Sequence, residues 1–177
     1  YRIPGKKLDY INSMSWSHDG KQLAAAALNG GLMDLYLFNP GANGFKVLTE
    51  DLFENHHPVW SLDDQRIYFA SNRLNDSIPN EEVKFDVYKQ KDDIWEIDVS
   101  TKELRRVTSL PLSNQIPVAA ISSFELLMRT SENGIYNLEK INVFVGARGN
   151  HTNVSDGLHS VSLAGEDLIY AVPFDGG

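Results

Sequence analysis

Ser15-Trp16-Ser17-His18-Asp19-Gly20-Lys21-Gln22-Leu23-Ala24 decides the fold, because the stretch comes back. Forty-four residues later the chain reads Val59-Trp60-Ser61-Leu62-Asp63-Asp64-Gln65-Arg66-Ile67-Tyr68-Phe69-Ala70. A weaker copy opens at Pro117-Val118-Ala119-Ala120 and leads to Leu126-Leu127-Met128. A fourth opens at Ser160-Val161-Ser162-Leu163-Ala164-Gly165 and leads to Leu168-Ile169-Tyr170-Ala171. Repetition at a period of this size sets the architecture before any single element is read.

Two further motifs keep register with the first. One is Asp34-Leu35-Tyr36-Leu37-Phe38-Asn39, repeated as Asp93-Ile94-Trp95-Glu96-Ile97-Asp98 and Asn137-Leu138-Glu139-Lys140-Ile141-Asn142. It lies 18 residues after Trp16 and 18 after Ala119, but 33 after Trp60, so unit two carries a 15-residue insertion. The other is an aliphatic-hydroxyl pair, read as Leu48-Thr49, Val107-Thr108 and Val154-Ser155. The runs between turn residues are too short for helices and rich in Val, Ile, Leu, Tyr and Phe, which predicts strands. Asp19-Gly20 falls where a hairpin must reverse, and glycine accepts positive φ there. Ala24 to Ala27 could start a helix, but the repeat overrides that local preference.

Four short strands per unit of about 44 residues, in tandem, predict an all-β propeller of four-stranded antiparallel blades. Residues 1–177 then form a single, partial propeller. A rim strand of a preceding blade is expected at 1–12 and a blade at 13–50. A second blade spans 57–109 with its insertion at 75–89. A third follows at 115–155 and an incomplete one at 158–177. Trp16, Trp60 and Trp95 are repeat positions and are expected between blades. The chain starts at Tyr1 without Met and stops straight after an apolar run, so it is expected to be a processed chain or a piece of a longer one.

Composition excludes more than it identifies. Apolar residues make up 42% of the 177, and 13 glycines bring the total close to half, the globular norm. No run of about 18 apolar residues predicts a membrane span. Sixteen basic against 24 acidic residues leave a net charge of −8, which repels phosphate backbones, so no nucleic-acid partner is expected. The absence of cysteine removes disulfides, Cys-based zinc sites and thiol catalysis, and leaves the compartment open. There is no Gly-x-Ser-x-Gly elbow, His-Glu-x-x-His, phosphate loop or Gly-x-Gly-x-x-Gly, so no catalytic residue and no cofactor is assigned.

The Trp-Ser-x-Asp-Gly opening, Ser71-Asn72-Arg73, Asp93-Ile94-Trp95 and the closing Val107-Thr108 together resemble the TolB-like, WD-related β-propeller repeats. His18 and Leu62 stand where that motif usually has Pro, and unit three lacks both the Trp and the Asp-Gly turn. The resemblance implies a propeller closing with about six blades. It also implies a non-enzymatic scaffold for protein partners, in the periplasm or another extracytoplasmic part of a bacterial envelope. Similar repeats form the substrate-gating propeller of prolyl-oligopeptidase and dipeptidyl-peptidase-type serine peptidases, whose catalytic domain would lie outside this chain. Fold does not choose between these.

Two regions are candidates for binding a protein or peptide. His56-His57 are expected in the loop before the first strand of blade two, stiffened by Pro58. Adjacent histidines can help hold a metal, but neighbours on an extended strand point oppositely and no further ligand is evident, so no metal is assigned. His18, His151 and His159 lie scattered in turns. The insertion offers Phe85 and Tyr88 as apolar anchors within an acidic stretch. It either docks a partner or is a tolerated surface loop. Its Glu81-Glu82 pair is similar to the paired glutamates by which dipeptidyl-peptidase propellers grip a free amino terminus, since two carboxylates clamp one ammonium.

Overall fold

A computed structural model describes residues 8–41, 44–73, 91–110, 112–158, 160–164 and 167–171. Blade one comprises β1 (Tyr10–Trp16), β2 (Leu23–Asn29), β3 (Leu32–Phe38) and β4 (Phe45–Val47). Blade two has β5 (Asn55–Trp60), β6 (Arg66–Ser71), β7 (Asp93–Asp98) and β8 (Leu104–Arg106). Blade three has β9 (Gln115–Ala120), β10 (Glu125–Thr130), β11 (Asn137–Asn142) and β12 (Arg148–Asn150). β13 (Ser160–Ala164) and β14 (Asp167–Ala171) pair as a fourth unit. Each complete sheet is antiparallel and runs in chain order from first strand to fourth. The first strands of successive units touch, β1 to β5, β5 to β9 and β9 to β13, as strands around a common axis must. The chain is a partial, all-β propeller of four-stranded antiparallel blades.

Alternation with period two assigns each strand's residues to one side of its blade or the other. Ala24, Ala26, Leu35 and Leu37 face blade two and form one cluster with Trp60, Ile67, Phe69, Trp95 and Ile97. Ala25, Ala27, Tyr36 and Phe38 occupy the opposite side of blade one. The alanine run is strand rather than helix because both of its faces are packed, and small side chains leave room for the Trp60 indole. Between blades two and three, Tyr68 and Ile94 meet Leu126, Met128, Ile141 and Val143. Leu127, Leu138 and Leu158 form the next layer, with Val161 of β13 against it.

Trp60 and Trp95 are buried, and the Trp60 indole N–H donates to the Ser15 carbonyl of blade one at 2.9 Å. Trp16 departs from expectation and is 54% exposed. Trp60 packs toward the preceding blade, so Trp16 faces the side of blade one that has no described blade beside it.

A hydrogen-bonded clasp recurs at the outer edge of each blade. A residue near the start of the third strand accepts from a threonine hydroxyl 15 residues on: Asp34 from Thr49 (2.9 Å), Asp93 from Thr108 (3.2 Å) and Asn137 from Thr152 (2.9 Å). The same hydroxyls accept the next backbone N–H of the third strand, from Leu35, Ile94 and Leu138. This corrects the third motif in blade three. Its working residue is Thr152, preceded by His151, and not Val154-Ser155. Only the hydroxyl is needed for the clasp, and His151 is exposed where Leu48 is buried.

The opening hairpins also share one construction. Ser17 and Ser61 each donate to the aspartate two residues on, Asp19 at 2.8 Å and Asp63 at 2.6 Å. Each hydroxyl also accepts the backbone N–H five residues on, from Gln22 and Arg66. Gly20 sits at φ +70° in the first turn, and Asp64 takes the same place at φ +55° in the second. A left-handed aspartate is rarer than a glycine. Its carboxylate here accepts the backbone N–H groups of His18 (2.7 Å) and Asp19 (2.9 Å), joining the two hairpins.

Candidate functional site

The three complete inner strands each carry one extra residue. In β1 the register shifts between Ile11 and Ser13, in β5 between His56 and Val59, and in β9 opposite Leu127 and Met128. Pro58 and Pro117 lie at the last two shifts. Proline has no N–H to give the ladder, and bulges tolerate it. His56-His57 are therefore not in a loop before the blade, as the sequence suggested, but inside β5 at its bulge. Bulges re-aim side chains and often sit beside functional sites.

At this bulge His57 has φ +53°. For a non-glycine residue within a strand that conformation costs on the order of 1–3 kcal/mol and persists where the surroundings over-determine it. The His57 backbone N–H turns away from β6 and donates to Ser13 Oγ of blade one at 2.9 Å. The two imidazoles pack edge to face, 4.9 Å between centroids, with Nδ1 2.7 Å from Nδ1. His56 Nε2 lies 3.3 Å from Asp92 Oδ2. Asp92 is held by the Asn114 side chain, which accepts its backbone N–H at 3.1 Å, and its own carbonyl accepts from Gln115 at 2.8 Å.

His57 opens onto a cleft of about 540 Å³ on the propeller axis. β1 lines it through Ser13 to Ser15, β5 through His57 to Val59 and β9 through Ile116 to Val118. Arg129 of β10, and Ser160 and Val161 of β13, complete it. The Arg129 guanidinium lies over the Tyr136 ring, 4.6 Å from its centroid. Although the His57 side chain meets solvent in the cleft, the protein packed around it desolvates the ring. That desolvation, with His56 and Arg129 adding positive charge nearby, pushes its pKa down to about 4 against the pull of Asp92. His57 is thus a neutral imidazole at physiological pH.

The other candidates fall elsewhere. Glu81, Glu82, Phe85 and Tyr88, with the whole 75–89 insertion, lie outside the described residues, as does His159. His18 binds Asp64 in the hairpin clasp, and His151 lies exposed on the rim. No group of three or more His, Asp or Glu among the described residues is placed to hold a metal ion. Arg73, of the Ser-Asn-Arg triplet, is fully buried. It lies 2.5 Å from Asp51 and 3.1 Å from Asn55 Oδ1, between the Phe53 and Trp95 rings. That is an inter-blade strut. Sequence reading passed over Asp92, Arg129 and Ser13, which lie apart along the chain and are gathered around the histidine pair only by the fold. The available signal was proline two residues before the Trp60 and Ala119 repeat positions, which marks the bulge in both blades.

No protein-family model matches the chain, and no curated protein matches its sequence. Solved structures do match. TolB from Acinetobacter baumannii superposes with a TM-score of 0.76 at 16% identity, over 96% of this chain and 39% of that one. A putative TolB from Agrobacterium tumefaciens gives 0.71 at 16% identity, over 88% of this chain and 51% of that one. A puromycin hydrolase gives 0.69 at 10% identity, over 93% of this chain and 25% of that one. The fold is thus that of a TolB-like β-propeller, and the chain spans about half or less of the length of these structures. No helix among the described residues is long and apolar enough to cross a membrane.

Proposed function

We propose that this chain is a non-enzymatic, TolB-like propeller that serves as a protein-protein interaction scaffold in the periplasm or another extracytoplasmic part of a bacterial envelope. The observation that carries the reading is the axial cleft. Inner strands of four units converge there on a backbone-strained His57 held by two blades, on a fold shared with two TolB structures. The binding residues proposed are His57 at the cleft and His56 packed against it, with Glu81, Glu82, Phe85 and Tyr88 on the insertion. No metal or cofactor takes part. The charge of −8 favours a partner with a positive contact surface. The test is capture by the immobilised 177-residue chain from an envelope extract. One protein retained in near-equal molar amount, and lost on deleting residues 75–89 or on His57→Asn, supports the scaffold. Capture unchanged by both variants counts against it.

A second reading draws on the likeness to a puromycin hydrolase. In it the blades gate and help bind peptide substrates for a serine peptidase domain outside this chain. The intact mass and C-terminal sequence of the native polypeptide separate the two. A following Gly-x-Ser-x-Gly elbow favours the peptidase, and further repeats without one favour the scaffold.

A further inference from the structure

Blades two and three close their third strands with the same turn and put different side chains on it. Asp98 Oδ1 accepts the backbone N–H groups of Ser100 (2.9 Å) and Thr101 (2.8 Å). Asn142 Oδ1 accepts those of Phe144 (3.0 Å) and Val145 (3.2 Å). In each turn the carbonyl of that same residue accepts the N–H four on, from Lys102 and from Gly146, both at 2.9 Å. Both of those residues are left-handed, at φ +63° and +71°. The turn is thus made as readily with two hydroxyls at its tip as with two apolar groups. Yet Phe144 is 58% exposed and Val145 75% exposed. Phe144 is also held in place. The Arg66 and Arg105 guanidiniums lie over its ring, 5.9 and 5.8 Å from the centroid. The Val143 N–H donates to the Phe124 carbonyl at 2.9 Å, which brings the exposed Phe124 alongside. Arg66 pairs with Asp63, in the turn that carries the exposed Leu62. Apolar side chains from three turns therefore gather at one end of blades two and three.

We infer that this end of blades two and three is a docking surface, separate from the axial cleft, for a protein whose own surface offers an apolar socket with a carboxylate at its edge. Phe144 and Val145 enter the socket. A ring already fixed by its neighbours loses little freedom on binding. The carboxylate goes to Arg105. Glu96 and the Val143 carbonyl occupy three of its five N–H groups. Glu96 is buried and Arg105 is partly exposed, so the pair turns its cation outward. A bilayer suits the surface less. Anionic lipid is drawn to clusters of uncompensated cations, whereas Arg66 and Arg105 already carry counter-ions in Asp63 and Glu96. Two apolar side chains also offer less surface than one acyl chain, which by itself anchors only marginally. A second copy would bring the same convex turn and no socket for it. The inference goes beyond the scaffold reading and uses none of its binding residues. The turns after first and third strands lie at the opposite end of a blade from the start of β5, where His56 and His57 sit.

The test places the photoreactive residue p-benzoylphenylalanine at Val145 of the full 177-residue chain, and at Thr101 as the matched position of blade two. Each chain is irradiated in an extract of its native cells, and the adducts are mapped by mass spectrometry. The inference expects one protein joined to position 145 at least tenfold more than to position 101, through apolar residues next to an Asp or Glu. That protein, purified, should bind the parent chain at least tenfold more tightly than the double variant Phe144→Ser, Val145→Thr, which copies blade two. Changing the mapped Asp or Glu to its amide should weaken binding at least threefold. The double variant should unfold within about 2 °C of the parent, as a surface change does. A larger drop would show that Phe144 serves the fold and would overturn the inference. So would equal adducts at both positions, an adduct to a second copy, or partner binding unmoved by the double variant. Binding to vesicles of phosphatidylcholine and phosphatidylglycerol that the double variant loses would replace the protein by a membrane and overturn it too. None of these results depends on His57 or on residues 75–89, so the scaffold reading and this inference fail separately.

Discussion

Blades one and two begin with the same motif and place it in different surroundings. The Trp60 indole is 1% exposed and donates across to blade one, whereas Trp16 is 54% exposed. Asp34 and Asp93 hold the same clasp with the same threonine partner. Thirteen residues on, however, blade two has Arg106, paired with Asp93, where blade one has Val47. Blade three has Asn137 at the clasp, an amide with no charge to compensate. Blade one alone among the three buries a carboxylate there without a cation from its own fourth strand. Burial accordingly pushes Asp34 up to about 6, with the nearby Asp51 charge adding to the rise and the Thr49 hydrogen bond opposing it. The repeat dictates where a side chain sits. The neighbouring strand dictates what that position costs.

Breaking the comparison at the tryptophans gives the largest effect. Trp60→Ala removes an indole from the layer between blades and should cost about 3–5 kcal/mol. Trp16→Ala in the same chain should cost far less. Urea unfolding of the pair checks this, and equal losses would refute the placement of Trp60.

The clasp gives the next effect, and it depends on pH. The folded-state pKa of Asp34 is raised from 3.8 to about 6, so stability is fully present below the unfolded value and falls as pH rises through 6. Asp34→Asn keeps the hydrogen-bond acceptor, as Asn137 shows, and removes the titration. Its advantage should grow between pH 4 and 6 and level off above, at about 2–3 kcal/mol. Val47→Arg should flatten the same pH dependence by copying blade two. Thermal unfolding across pH 4 to 8 reads both, and parallel profiles for parent and Asp34→Asn would contradict the assignment.

The smallest effect lies in the hairpins. Asp64→Ala loses the bonds to blade one and keeps the left-handed backbone, while Asp64→Gly loses the bonds and relaxes the backbone. The alanine variant should therefore be the less stable by about 1 kcal/mol. Identical urea midpoints would mean that no strain resides at Asp64.

The strands were legible because both faces of each blade are packed, so apolar runs recur at matching positions whatever the neighbouring residues. The clasp was legible in two blades and misread in the third. Leu48 and Val107 drew attention to an aliphatic partner that the hydroxyl does not need, and Val154-Ser155 imitated it three residues past Thr152. The histidine pair was noticed but misplaced. Pro58 looked like a strand entrance, although the chain continues as strand through it by bulging. The pairing of His56 with Asp92 could not be read, because it spans the insertion and depends on the sheet that brings Asn114 and Gln115 beside Asp92.

From the sequence alone follow the blade, its order of strands, its hairpin turns and the exclusion of thiol chemistry, because these depend on residues close together or on a repeated period. The tertiary structure decided the rest. Stacking one blade on the next buries Trp60 and not Trp16, and sets the ionisation of Asp34. Convergence of the inner strands makes an axial cleft from residues of β1, β5, β9, β10 and β13. That convergence is long-range, and contacts between blades, not local preference, hold His57 in a conformation its own side chain disfavours.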